Sequence, residues 1–534
     1  METLIIDNFD RSTIIPQETN GKDNVWKLVM GKPIKSYSEN PVGDSPVNIE
    51  NQLINLKYSG YGIVPFERVN TSIFSTNVPL SFSLNFVSHA FQSYSDDYNK
   101  AFLIDSSSAV YEVHTSGLSQ LSSGTTYGFT LYNNPDIEYA NGMIVVCHFD
   151  NNRRIFKRLL TDSTWSTITY SAVTRPFAIV YWHSLWYILG RSNNVILVFD
   201  NRLNTLLTKI NLDNSQNFLD LVVINDEFLG LITKEGEVWL WNGAWFGTSS
   251  SVYFYRVRFD FPIVYYANIN RIPLFFLQNQ RDLLVYTLSG IRQRKIDVIN
   301  GFTVVQRRNN FRLSKSIGAY YGDTVALWGN YTYTRIHEYS YTPSAILFYR
   351  PFENQVFVLE TSLTPEAESL LGMFVAENLL EFLSRRSIAL LMFGFNGTQY
   401  VYQSIFMNER MKKFFTGNNY EVQQGKFLLL SNWFTLGLRK IKIHEIDIYF
   451  EKSGTTPMNI LPFKVYLDLV DEFSGEEIIG YELTQSDNVV KNFVKRFKNL
   501  GFEATKFRIK IEGINGSPII PIIKRIVVYY DFIS

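Results

Sequence analysis

Six histidines are the first place to look for metal or acid–base chemistry in this 534-residue chain: His89, His114, His148, His183, His337 and His444. Two ligands on one helix face need H-x-x-x-H or H-E-x-x-H spacing, which none of them has. Each reads instead as a turn or surface residue. The single cysteine, Cys147, ends the apolar run Ile144–Cys147. An intrachain disulfide and a Cys-based zinc site are thereby excluded, and a small buried hydrophobe is expected. There is no G-x-S-x-G elbow for a nucleophile, no phosphate-cradling G-x-x-x-x-G-K-[ST] and no dinucleotide fingerprint after a strand. The chain is expected to work without catalytic residues, metal or cofactor.

Glycoside hydrolysis asks for less, since a few carboxylates aimed into one cavity suffice. The nearest approach to the S-x-D-x-G-x-x-W turn of sialidase-like proteins is Asp162–Trp165, which lacks the glycine and the spacing. WD40 signatures are also missing, because Trp239 and Trp241 are followed by Leu240 and Asn242, and so are kelch double glycines. A carbohydrate-binding or carbohydrate-active protein remains the alternative reading. One electrostatic feature stands out: Lys491, Lys495, Arg496, Lys498, Lys506, Arg508 and Lys510 stand against Glu503 alone. Contact with nucleic acid or an acidic partner is one reading of it. The other is a solvated strand face, because Lys506, Arg508 and Lys510 alternate with Phe507 and Ile509. Stacking aromatics are not interleaved as in RNA readers. Fifty basic and 50 acidic residues leave a formal net charge of zero, so no global field recruits nucleic acid. A solvated face or a protein interface is favoured, with Lys491, Lys495, Arg496 and Lys498 as the interface candidates.

The elements that must position these residues announce themselves as a beat. Apolar β-forming bursts recur about every forty residues, the length of four short strands. They start near Asn85–Val87 and recur at Met143–Val146, Phe177–Tyr181, Leu219–Val223, Ile263–Tyr266, Ile317–Tyr321 and Leu370–Val375. Seven beats predict a β-propeller of about seven blades over residues 85–425. Aromatics at 16% and charged residues at only 19% agree with an all-β chain. Hairpin turns are predicted at His183–Ser184, Asn225–Asp226 and Lys234–Gly236. The seventh beat is ambiguous: Thr364, Pro365 and the acids after them open like a helix. A short helical turn followed by strands is the preferred reading.

Residues 1–84 lack the beat. Apolar anchors at Leu4–Ile6, Trp26–Met30 and Leu53–Leu56 alternate with polar turns, which predicts an extended arm pinned against its own domain or a neighbour. Trp26 is the anchor proposed to touch a partner. Residues 426–534 predict a C-terminal β-sandwich, because Phe463–Leu469 and Phe507–Ile511 alternate strictly. In Ile441–Ile448 the alternation slips, which predicts a bulge at His444–Glu445. No signal peptide and no membrane span is read.

The C-terminal segment runs from Asn492–Phe502 through Lys506–Ile511 and a proline-led strand at Ser517–Ile523 to Ile526–Tyr530. Together with the arm, a propeller without cellular repeat signatures and the terminal sandwich, it resembles the nozzle and tail-hub proteins of tailed bacteriophages. That resemblance implies a structural protein of the virion tail, assembled in the host cytoplasm. It implies a ring, six copies in the short-tailed phage nozzle, that continues the DNA channel. It also implies docking to other tail proteins (an adaptor, fibres, a plug), with DNA passing the lumen without specific binding. No reactive site is carried across, because such proteins act through surfaces and lumen shape.

Overall fold

The computed structural model describes residues 2–7, 15–19, 23–28, 52–54, 56–59, 62–65, 67–69, 87–93, 100–105, 110–114, 117–121, 136–147, 154–169, 176–190, 194–212, 217–243, 252–305 and 317–334. Further on it describes 340–341, 344–352, 355–361, 370–377, 388–395, 400–406, 420–422, 427–431, 433–435, 439–452, 463–484, 486–487, 494–513 and 521–533. Among these residues every regular element is a β-strand. The chain folds into two compact units, one of residues 71–330 and 362–404, the other of residues 1–70, 331–361 and 405–534.

The first unit is a β-propeller. Five four-stranded antiparallel sheets follow one another at 87–120, 136–169, 176–211, 218–258 and 263–299, each with its strands paired in chain order. A sixth blade opens with Gly318–Tyr321 paired to Thr324–Tyr331, and a seventh with Leu370–Glu377 paired to Ile388–Phe395. First strands of neighbouring blades lie side by side, as Asp136–Ala140 does with Pro176–Trp182. Leu370–Glu377 closes the ring by lying against both Gly318–Tyr321 and Val87–Ser93. The beat therefore falls on the first strand of every blade but the second, where Met143–Val146 belongs to the second strand, and the seventh beat is a strand. The helical opening expected at Thr364 falls outside the described residues.

Strand periodicity explains why the bursts are apolar without alternation. In Leu185–Gly190, Trp186 and Ile188 join the core shared with the second blade, while Tyr187 and Leu189 join the core shared with the fourth. Val195, Leu197 and Phe199 face the first of these cores, Ile196 and Val198 the other. Both sheet faces are covered, so both sets of side chains must be apolar. Cys147, fully buried, lies in the same core as Trp186, as its apolar run predicted.

Two local features recur from blade to blade. The turn after the first strand has two consecutive positive φ values at Asn141–Gly142, His183–Ser184, Asn225–Asp226 and Asn270–Arg271. That is the signature of type I′ hairpins, whose twist matches the strands they join, and it includes the two such turns read from sequence. A register shift also recurs in the first strand of the first, third, fourth, fifth and seventh blades, beginning at Val87, Pro176, Phe218, Ile263 and Leu370. A bulge raises local twist, which suits strands splayed around an axis.

The second unit is the β-sandwich. One sheet is built on Lys440–Lys452 and Pro521–Ile533, and the register along them shifts between Ile443 and Glu445, where the slip in alternation predicted it. Val494–Phe497 and Phe502–Ala504 flank Lys440–Lys452 on its other side. The facing sheet runs in the order Gln355–Glu360, Gln52–Ile54, Leu428–Leu430, Lys506–Gly513, Phe463–Asp471, Glu476–Glu482. Phe450 of one sheet meets Phe463 of the other edge-on, with ring centroids 5.4 Å apart.

The linear boundaries 1–84, 85–425 and 426–534 are corrected by this pairing. The N-terminal segment belongs to the sandwich of its own chain: Glu2–Asp7 pairs with Pro521–Ile533 and Asp23–Leu28, and Gln52–Ile54 with Leu428–Leu430. The physical reason is the demand of each sheet edge for backbone partners, which distant segments supply as readily as near ones. Deleting residues 1–28 should strip Pro521–Ile533 of one ladder. Hydrogen exchange should then speed up along Pro521–Ile533 while the first strands of the propeller blades keep their protection; equal loss in both units would contradict this division.

Candidate functional site

Those of the basic residues singled out in the sequence that are described do not gather into one open surface. Val494–Phe497 lies in the sandwich, and Lys495 and Phe497 point into the space between the sheets, whereas Arg496 and Lys498 point away. Lys495 is 8% exposed, its Nζ 4.8 Å from the centre of the Phe497 ring and 5.6 Å from that of Phe463. Burial lowers its pKa from 10.5 to about 8, against the raising influence of Glu482. Two ring faces favour the cation, but the lost hydration outweighs them. Lys495 is therefore corrected from a partner-facing residue to a core one.

Arg496 reaches across to Lys440–Lys452. Its Nε donates to both carboxylate oxygens of Asp447, at 3.1 and 3.0 Å, and lies 3.5 Å from Glu445. Asp447 is fully buried, so the guanidinium neutralises a carboxylate that would otherwise be stranded. Burial and the neighbouring Asp447 raise the pKa of Glu445. Arg508 does the same for buried Asp468, at 2.6 Å, while stacking near Trp433. Lys506 pairs with Glu472, and Lys440 with Asp471 and Glu503 at 2.9 and 3.3 Å. Lys510 is buried, and Lys498 is exposed within the electrostatic reach of Glu445. The alternation that suggested a solvated strand face holds for Lys506 and Arg508, yet Lys506 is matched by Glu472, in the turn after Phe463–Asp471, and Arg508 by Asp468 on that strand.

Of the other candidates, Lys491 lies outside the described residues. Trp26 stands on Asp23–Leu28 in register with Leu4 and Pro16 of its own chain. His444 pairs its Nε2 with Asp531 at 2.9 Å. His183 occupies a blade turn as expected, stacked on Trp182 with centroids 4.0 Å apart and its Nε2 3.2 Å from the carbonyl oxygen of Asp226. Trp182 Nε1 donates to that same carbonyl at 3.0 Å, and Arg271 of the next blade lies 3.5 Å from the Asp226 carboxylate. These contacts lock the turns of the third, fourth and fifth blades to one another. Buried carboxylates on the innermost strands likewise bind backbone: Asp136 accepts from Ile179 N–H at 3.0 Å, and Asp220 from Leu221 N–H at 2.8 Å.

Two surfaces escaped the reading of the sequence. One is the edge strand Glu476–Glu482, with Ile478, Ile479 and Tyr481 exposed and Phe473 exposed in the turn before it. The other is the flank of the fourth and fifth blades, where Tyr253, Tyr255, Ile291, Arg292 and Arg294 are exposed. Their signals were present as the unalternating string Glu476–Glu482 and the basic cluster Arg292–Lys295. Among the described residues no group of His, Cys, Asp and Glu is placed to hold a metal ion, and no helix is long and apolar enough to cross a membrane.

No protein-family model and no curated protein sequence matches the chain. Among solved structures, the Neurospora crassa Pan2 WD40 domain is similar at 10% identity, over 62% of this chain and 92% of that one, with a TM-score of 0.37. The β-propeller domain of Myceliophteria thermophila Cps50 (Swd1) is similar at 10% identity, over 60% and 96%, with a TM-score of 0.41. The likeness is one of fold.

Lys495 makes sandwich stability depend on alkaline pH. The native side chain releases its proton near pH 8 and the unfolded one near 10.5, so between them the unfolded chain binds more protons and stability rises with pH. Lys495→Met should be more stable than the wild type at about pH 7, by at most roughly 3 kcal/mol, and the gain should vanish by about pH 10.5. Lys495→Glu should destabilise at every pH by burying a carboxylate between rings. Urea denaturation across this range checks the pair; a Met advantage that does not change with pH would refute the assignment.

Proposed function

We propose that the chain is a structural, ring-forming subunit of a bacteriophage tail, a nozzle or tube-end component. Its ring, six copies by the resemblance of its layout, continues the channel for DNA and docks neighbouring tail proteins. The observation that carries this reading is where the exposed apolar side chains lie. A sugar-binding propeller displays tryptophan and tyrosine at one pocket. Here Trp182, Trp186, Trp239, Trp241 and Trp328 are buried in the propeller. Among the described residues the exposed aromatics fall instead on separate elements: Tyr253 and Tyr255 on the flank of the fourth blade with Phe261 just beyond it, Phe352 in the turn after Ser344–Arg350, and Phe473 and Tyr481 on the sandwich edge. Two separate adhesive surfaces are what a subunit needs to make repeated heterologous contacts and close a ring.

Zero net charge supports a lumen along which DNA slides, because each cation that neutralises a phosphate adds salt-sensitive affinity. The pairing of Arg496, Arg508, Lys506 and Lys440 with carboxylates supports the same point: these cations are already engaged. In this reading DNA runs through the middle of the ring between subunits, since the central channel of a single propeller, lined by its innermost strands, is too narrow for a duplex.

Mass photometry and electron microscopy of the purified chain, alone and with tail proteins, test the proposal. Closed rings with a lumen wide enough for a duplex are expected. A chain that stays monomeric at every concentration and binds glycans with loss on single tyrosine or carboxylate substitutions would replace the proposal with the carbohydrate reading.

A further inference from the structure

Sheet edges offer unpaired backbone groups, and one β protein most readily joins another through them. Several sheet edges are exposed among the described residues, and two of them differ in sign. The first is Glu476–Glu482, which pairs with Phe463–Asp471 on one side only among the described residues. Glu476, Glu477, Ile478 and Ile479 are all exposed on it, the two isoleucines at 43% and 57%. Buried strands never look like this, and a solvated edge has no use for two adjacent isoleucines. The second is Arg292–Ile299, the outermost strand of the fifth blade, which pairs with Leu283–Ser289 and ends its sheet. Its second half is buried at Asp297, Val298 and Ile299. Its first half exposes Arg292 and Arg294 beside Ile291, itself 49% exposed.

Charge decides which edges can meet. Two copies of the acidic edge repel one another, as do two copies of the basic edge, so a symmetric pairing of like edges is disfavoured. The mixed pairing sets carboxylates against guanidinium groups and isoleucine against isoleucine. It is a head-to-tail contact, because the two edges lie on different units of the chain, and repeated head-to-tail contacts build rings. We infer that a second copy of this chain is the occupant of the acidic edge: Glu476–Glu482 of one copy adds as a strand to the Arg292–Lys295 edge of the next. This inference rests on the ring proposed above and names the surfaces that form it.

Two double variants test it, Glu476→Lys with Glu477→Lys and Arg292→Glu with Arg294→Glu, alongside the quadruple variant that carries all four changes. All four positions are exposed, so circular dichroism should report native folds. By mass photometry each double variant should self-associate at least about tenfold more weakly than the wild type, as the loss of close charge pairs implies. The quadruple variant, whose edges are complementary again with signs exchanged, should recover rings. Hydrogen exchange on wild-type rings should show both strands protected relative to dissociated subunits, and added salt should weaken assembly. Rings that form equally well in both double variants, or strands that stay unprotected in wild-type rings, overturn the edge assignment and leave the ring intact. A quadruple variant that folds but stays dissociated also overturns it. A wild-type chain that never assembles overturns this inference and the ring reading together.

Discussion

Everything in the propeller depends on one requirement: a sheet that is apolar on both faces must be covered on both. Trp186 and Tyr187 are neighbours in one strand, yet each is buried in a different core, one shared with the blade before and one with the blade after. No blade can satisfy this alone, and an open row of blades would leave its two end faces wet. Closure satisfies it, and the contact of Leu370–Glu377 with Val87–Ser93 supplies the closure. Truncating a fully buried tryptophan in such a core costs about 3–5 kcal/mol, a large share of the stability of any domain. The type I′ turns and the recurring bulges follow from the same geometry, since strands that twist around an axis need tight ends and extra local twist.

The sandwich is governed by edges rather than faces. Pro521–Ile533 lies between Lys440–Lys452 and Glu2–Asp7, so strands from the two ends of the sequence share one ladder. Buried carboxylates at Asp447 and Asp468 sit on strands whose neighbours carry Arg496 and Arg508. Each cation thus answers a local desolvation problem. Lys495 is the exception: an ammonium placed among rings, with burial opposing its charge.

These interior demands also define the surface. Turn residues such as His183 and Asp226 are tied to neighbouring turns and inner-strand carboxylates to backbone amides, while Tyr255 and Ile479 stand exposed on strands that end their sheets.

What the residues determined by themselves was the repeat and the class of fold. A period near forty, with hairpin residues such as Asn225 and Asp226 between apolar bursts, is a local property, and local properties are written in order along the chain. The slip at His444 was legible for the same reason, because a bulge changes the alternation of its own strand. Strand partnership is not local. Nothing in Leu4–Ile6 says that its partner is Ile526–Val528, since any extended apolar segment can complete any open edge, and only the assembled sheets choose. The fate of the basic residues was undecidable in the same way: Lys495 and Arg496 were equal candidates in the sequence, and which of them faces the core depended on where the facing sheet, with Phe463, came to lie. Tertiary packing decided that one lysine is buried and that its neighbouring arginine is matched to Asp447. It decided as well that Glu476–Glu482 and Arg292–Ile299 end their sheets, because an edge exists only once the other strands have found their neighbours.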